Sequence, residues 1–280
     1  MTSLIIEPNI AEAEVFLPMK PTWCKSDQTL TDAATLMAFA QYAKPKTMLE
    51  IGSSAGEGAA ALLYATRELH SHLHGLDLSP TVYYDKSKPI GSVVFEAFPG
   101  FAERYTVKTG VRCDAVPTID AKFDLVHIDA NHSHPWGVYD FLWALPSLNQ
   151  GALVAFHDAN YLAAISQAAF YFARLIPNGA FVGNHFAFVY EGPTQTLFDA
   201  IMECLEINWQ SSIPASSCAG LQVALSTVFS DAQAMQIASR VLAQNANYHK
   251  FSKLYEEVHK ALWQRELQRR ALLAEQKPTN

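Results

Sequence analysis

Two stretches of the 280-residue chain, FDLVHIDANHSHPW at 123–136 and GALVAFHDAN at 151–160, each end an apolar run in an acid, Asp129 and Asp158. Two carboxylates converging on one point repel unless a cation, a proton or a hydrogen-bond donor sits between them. A hard divalent ion such as Mg²⁺ would lift that repulsion and lower the pKa of a hydroxyl bound beside it. His132 follows Asp129 by three positions, and His157 and His134 lie close in sequence to the same edge. Imidazole titrates near neutral pH, so a histidine placed there can accept a hydroxyl proton. His132 is the candidate base.

A second constellation stands at KTMLEIGSSAGEGAAALLYATRELH, residues 46–70. Where a chain leaves a strand and enters a helix, several amide hydrogens lack partners, and glycine lets a ligand approach them. Gly52, Gly56 and Gly58 lie at such a junction, spaced four and then two apart. The dinucleotide fingerprint is spaced two and then three, so a nicotinamide oxidoreductase fits poorly, and no Lys-Ser or Lys-Thr follows to make a P-loop. Glu50 would disfavour a pyrophosphate but suits an ammonium group. Asp77, in GLDLSP, ends the next predicted strand, where open α/β sheets place an acid for a ribose diol. An adenosine carrying a nearby positive centre fits both acids.

Each of these residues also has a plain structural reading. A glycine cluster can be a tight helix entry, an acid at a strand end can be a helix cap, and His132 can be a hydrogen-bonded loop histidine. His70, His72 and His74 recur at period two, as on one face of a short strand, and point to no metal site. His185, His249 and His259 have no cluster nearby in sequence and receive no role. Trp136 and Tyr139 could wall an apolar pocket; helical spacing makes Phe141, Leu142 and Leu145 core residues, and Pro135 keeps Trp136 near the loop.

The elements that must position these groups alternate from Thr47 onward between short apolar runs and longer helical ones, the mark of a parallel sheet with crossover helices. Strands are expected at TMLEI, HLHGLDL, YTVKTG, FDLVHID, ALVAFHD and AFVGNHFAFVYE, the last divided in two at GNH. Helices are expected near 58–70, 92–103, 136–145 and 161–175, preceded by one over 26–44. Residues 1–25, with prolines at 8, 18 and 21, read as an extended arm. After Pro193 only helical patterns remain, at 194–207, 230–245 and 248–276. In the last, Leu254, Val258, Leu262 and Leu267 form a stripe suited to docking on the body or on a second subunit. The division is thus 1–45 for the arm and first helix, 46–192 for the ligand-binding domain and 193–280 for a helical extension.

With these motifs in place, residues 30–192 resemble the class I S-adenosylmethionine-dependent methyltransferases. LEIGSSAG is similar to their first motif and GLDLSP to the acidic end of their second strand. The resemblance implies a Rossmann-like seven-stranded α/β sheet with helices on both faces. It implies that Glu50 and the backbone of Gly52, Ser53, Gly56 and Gly58 face the methionine part of S-adenosyl-L-methionine. Asp77 with Leu78 would hold the ribose, and Gly110–Asp114, with Val111 and Arg112, would border the adenine. IDANHSH and FHDAN further resemble segments of metal-assisted small-molecule O-methyltransferases of the catechol and macrocin/cephamycin types. On that likeness Asp129, beside the cofactor, Asp158 and His157 are metal ligands for Mg²⁺, and His132 stands where catechol-type enzymes have a lysine base. Ala130, Asn131 and Ala159 depart from the pattern; Asn160 is one position further on. The expected function is methyl transfer to a hydroxyl of a small molecule, a natural product, sugar or phenol. The alternative is a non-catalytic adenosyl-ligand-binding or scaffold protein of the same fold.

Composition narrows the partners. With 20 Lys and Arg against 27 Asp and Glu, the formal charge of −7 gives no overall basic field for nucleic acid. Four scattered cysteines without a CxxC pair argue for reduced thiols rather than a disulfide scaffold or zinc ribbon. No apolar run reaches the roughly 18 residues of a membrane span, and no leader is apparent, so the expected location is cytoplasmic. A homo-oligomer formed through the N- or C-terminal helices is compatible with these patterns.

Overall fold

The structure, a computed structural model, describes residues 4–25, 28–160 and 163–275. The expected N-terminal arm is instead partly helical: α1 (Ile10–Phe16) is capped by Asn9, whose side chain accepts from the Glu12 amide at 3.2 Å. Pro8 and Pro18 lie on either side of this helix, so the proline content that suggested an extended segment only bounds it. Phe16 is fully buried and stacks on Phe98 at 5.3 Å, a burial worth about 1.5–3 kcal/mol that pins the segment down.

Next, α2 (Leu30–Ala43) opens on a capping box: the Thr29 hydroxyl accepts from the Asp32 amide while the Asp32 carboxylate accepts from the Thr29 amide at 2.9 Å. The αβ alternation follows as β1 (Thr47–Ile51), α3 (Glu57–Ala65), β2 (His72–Asp77), α4 (Ser92–Ala97), β3 (Tyr105–Thr109) and β4 (Phe123–Ile128). It continues through α5 (Trp136–Ala144), β5 (Leu148–Phe156), α6 (Ala163–Leu175), β6 (Ala180–Val182) and β7 (His185–Val189). The seven strands lie in the order β3-β2-β1-β4-β5-β7-β6. The first five are parallel; β7 runs antiparallel to β5, and β6 returns on β7 through Gly183 and Asn184, the turn expected at GNH.

Period-two alternation divides the sheet into two buried faces. Leu49, Ile51, Val126, Ile128 and Val154 pack toward α5 and α6. Met48, Leu125, Leu153 and Ala187 pack toward α1, α2 and α3. Two helices stop short of expectation. α3 gives way to a 3₁₀ turn at Arg67–Leu69, and α4 to another at Pro99–Arg104, where Pro99 has no amide hydrogen to continue the ladder. His70 therefore sits before β2 with φ 51°, leaving His72 and His74 on the strand.

Beyond the sheet come α7 (Gln195–Leu205), α8 (Ala215–Cys218), α9 (Leu221–Leu225) and α10 (Asp231–Glu275). The two helices expected at 230–245 and 248–276 are one continuous element. Its sequence contains neither glycine nor proline, so the weak helix formers around Asn245 do not break it. Asn245 instead exchanges two hydrogen bonds of 2.9 Å with the Ile213 backbone. Ile201, Leu205, Leu225, Ile237 and Val241 join the same apolar core as β4 and β5. Of the expected stripe, Leu262 is exposed, while the side chains of Leu254, Val258 and Leu267 lie outside the described residues. Among the described residues no helix is long and apolar enough to cross a membrane.

Candidate active site

The carboxyl ends of β1, β2, β4 and β5 open on one cavity of about 1850 Å³. At its centre the chain leaves β1 through Gly52, whose φ of 99° favours glycine. A Cβ there would overlap the carbonyl of Asp129, so this turn and the β4 loop touch backbone to backbone. Gly58, in the first turn of α3, serves a related purpose: a Cβ would strike the carboxylate of Glu50 and the amide of Gln28. Gly56, φ 91°, faces the Gly91 backbone and does not line the cavity; its constraint is the close packing of the α3 entry.

Glu50 is buried at the cavity wall, with Oε1 3.4 Å from His127 Nδ1 and Oε2 without a hydrogen-bond partner among the described residues. Burial raises its pKa, against the opposing pull of His127. Asp77, the last residue of β2, fixes the cavity's other end. Its Oδ2 accepts from the Ser54 amide at 2.9 Å and its Oδ1 from the Ser79 amide at 2.7 Å, so the carboxylate is oriented by backbone on both sides. Ser53, Leu78, Val111 and Arg112 line the same space, and the Val111 amide donates to the Asp77 carbonyl at 3.2 Å. A carboxylate with a free oxygen at one end and a held carboxylate at the other, joined by a bare backbone turn, can grip an elongated ligand carrying a cation and a diol.

Beside that crevice Asp129 and Asp158 do converge. Their strands end at Ile128 and Phe156, so both acids stand in loops just past the sheet rather than on it. Asp158 adopts a left-handed φ of 56° and accepts from Asn184 Nδ2 at 2.8 Å, which turns its other oxygen toward the cavity. His132 Nε2 lies between the pair, 3.4 Å from Asp129 Oδ1 and 3.2 Å from Asp158 Oδ2. Burial would lower the His132 pKa, but the two carboxylates outweigh it and raise it. Asp129 shifts the other way, downward: burial alone would raise it, and the charge of His157 with the hydrogen bond from His132 reverses that.

The donors fit a divalent cation in part. Two carboxylate oxygens from separate loops suit a hard ion, and one donor atom each from Asp129, His132 and Asp158 lies within 4.8 Å of the others. His132 cannot serve both as third ligand and as free base. His157, expected as a ligand here, engages Asp129 Oδ1 through Nδ1 at 3.0 Å, while its Nε2 points away toward Asp32 Oδ1 at 3.6 Å. Asn160 donates to the Gly183 carbonyl at 2.7 Å. Trp136 lines the cavity as expected, while Tyr139, Phe141, Leu142 and Leu145 are core.

Sequence reading missed the contribution of α2 and of the strand interiors. Thr29, Thr31 and Asp32 reach the cavity from the start of α2, a segment legible only as a helix. In register, Glu50 lies beside His127, and the antiparallel pairing of β5 with β7 carries His157 alongside His185. The result is a row of four polar side chains under α2 where the sequence shows only isolated residues. The row follows from period two: each is the position two beyond an apolar residue of the α2-facing set, namely Met48, Leu125, Ala155 and, in the reverse direction, Ala187.

The strand order and the crevice at the carboxyl ends of the strands are the Rossmann-like arrangement expected from the sequence. Residues 49–159 match the family described as a methyltransferase domain. O-methyltransferase hkm8 of Aspergillus hancockii is 28% identical over 120 residues, 43% of this chain and 42% of that protein. The chain thus matches less than half the length of this curated relative. Among solved structures, the SAH-bound Podospora anserina methyltransferase PaMTH1 superposes with a TM-score of 0.48 at 19% identity, covering 68% of this chain and 90% of that one. TomG of Streptomyces achromogenes, an O-methyltransferase in complex with SAM, gives 0.46 at 21% identity, covering 67% and 92%.

Proposed function

We propose that the protein transfers a methyl group from S-adenosylmethionine to a hydroxyl of a small molecule, with a divalent cation at Asp129 and Asp158. The observation that carries this is one continuous cavity joining Glu50, the Gly52 turn and Asp77 to the cluster of Asp129, His132 and Asp158. Methyl transfer needs a donor and an acceptor in line, and positioning supplies much of the rate once the donor is activated. S-adenosylmethionine supplies that activation on its sulfonium centre.

Glu50, with Oε2 unpartnered, would accept from the ammonium of the methionine part; Asp77 would accept from the ribose diol beside Val111 and Arg112. Asp129 and Asp158 would hold the cation, which would stabilise the acceptor oxygen as an alkoxide or phenolate. His132 would take the hydroxyl proton. The neighbouring carboxylates raise the pKa of His132. Neutralising their charge would return it toward the neutral, proton-accepting form. The O-methyl reading is favoured by the name of the relative O-methyltransferase hkm8.

The test is turnover of S-adenosylmethionine against a panel of phenols, sugars and polyketide-like alcohols, with Mg²⁺ or with chelator. Methylated product that disappears on chelation supports the proposal. Binding of S-adenosylhomocysteine without product on any acceptor would leave a ligand-binding protein.

A further inference from the structure

The row beneath the cavity and the first turn of α2 above it together hold a second group of metal-ligating side chains. Asp32, His157 and His185 are buried, and one donor atom from each lies within 4.8 Å of the others. They come from three elements: Asp32 from the first turn of α2, His157 from the end of β5, and His185 from the start of β7. Asp32 and His157 line the cavity, and His185 stands behind them. We propose that Asp32, His157 and His185 bind a late first-row divalent cation of the Zn²⁺ or Co²⁺ kind, at a site distinct from the cluster of Asp129, His132 and Asp158.

Three observations support it. First, His185 is wholly enclosed, yet neither ring nitrogen has a hydrogen-bond partner among the described residues. Burying a polar group without a partner is costly, and coordination would satisfy one of these two nitrogens. The two rings stand 4.6 Å apart at an interplanar angle of 52°. Second, the Nδ1–H of His157 donates to Asp129 Oδ1 at 3.0 Å, which orients the ring and directs Nε2 toward Asp32. A carboxylate behind an imidazole is the outer partner that metal-binding histidines characteristically have. Third, His157 Nε2 and Asp32 Oδ1 are already 3.6 Å apart, near the roughly 3.3 Å separating two donors on a tetrahedral ion. Closing the third donor asks for at most about 1.5 Å, from the 4.8 Å that bounds the three atoms to the spacing on a tetrahedral ion.

Two imidazoles and one carboxylate favour a borderline ion over Mg²⁺, which prefers oxygen donors. When the ion arrives, any proton on Nε2 of His157 leaves to solvent. The remaining coordination position would face the cavity, because Asp32 and His157 form part of its wall.

The test is a Co²⁺ titration of the chelator-stripped full chain, read by ligand-field absorption and calorimetry in excess Mg²⁺. Asp158→Asn, which removes a carboxylate of the other cluster, should still bind Co²⁺ with the wild-type spectrum. His185→Gln should bind it about a hundredfold more weakly, or not at all, since even loss of an outer partner costs 10–100-fold. Should that buried substitution impair folding, Asp32→Asn removes a ligand from α2 and should show the same loss. Failure of wild type to bind Co²⁺, or wild-type affinity in both His185→Gln and Asp32→Asn, would overturn the proposal. Neither result touches methyl transfer, which is read separately by product formation.

Discussion

The two histidine-and-acid clusters at the end of this sheet use the same side chains in opposite surroundings. His132 is 42% exposed and sits in a loop between Asp129 and Asp158, where water can screen or replace each contact. His157 is 8% exposed and bridges Asp129 and Asp32 in the interior. The exposed set can exchange a proton or ligand at little structural cost, whereas the buried set is part of what holds α2 on the strands. Asp129 belongs to both, through one oxygen, and couples them. An exposed charge system thus rests on a buried one.

The sharpest way to break this arrangement is at the backbone contact beneath it. Gly52→Val would force a β-branched residue to φ 99° and drive its Cβ into the Asp129 carbonyl. We expect a loss of about 4 kcal/mol or more in chemical denaturation, and no adenosyl ligand bound by whatever folds.

His157→Gln tests the buried arm. Removing one partner of a buried ion pair costs about 3–5 kcal/mol. The sign with pH is definite: burial lowers the folded pKa of His157, but Asp129 and Asp32 raise it to about 11, above the 6.5 of a free imidazole. Its stabilisation is therefore whole below about pH 6.5 and fades as pH rises toward 11. Denaturation curves of wild type and variant, both in chelator, should differ most near pH 6 and converge with alkalinity. A gap that widens above pH 8 would contradict the charged bridge.

Asp77→Ala should weaken S-adenosylhomocysteine by tenfold to about a hundredfold in calorimetry, through the loss of its ribose partner, and leave metal binding unchanged. His132→Gln marks the exposed limit: stability should change by less than about 1 kcal/mol, as for other solvent-accessible ion pairs. Turnover should fall, and its dependence on pH should lose the limb assigned to this ring. Equal destabilisation by His132→Gln and His157→Gln would erase the distinction between the clusters.

What the sequence disclosed follows the same divide. Asp77, Asp129 and Asp158 were legible because each closes an apolar run, and Glu50 because it stands just ahead of a glycine turn; parallel sheets expose strand ends together. The seven strands and the break at Gly183–Asn184 were legible from alternation and turn chemistry. His185 was not, since its neighbour His157 is 28 positions away and the two meet only through antiparallel pairing of β5 and β7. Asp32 was equally hidden: an acid three positions after Thr29 reads as a helix cap, which it is, and nothing local shows that it also faces an imidazole. Long-range register, rather than residue type, separates what was seen from what was missed. The continuity of α10 was missed for a simpler reason, since weak helix formers imitate a turn when the packing that overrides them is out of sight.

The central claim is that Glu50 and Asp77 hold the two ends of one sulfonium nucleoside across the Gly52 turn. Calorimetric titration of S-adenosylhomocysteine into wild type, Asp77→Ala and Glu50→Gln tests it directly. The account predicts one tight site per wild-type chain, weakened at least about tenfold by either substitution. Absence of binding to wild type, or unchanged affinity in both variants, would contradict it.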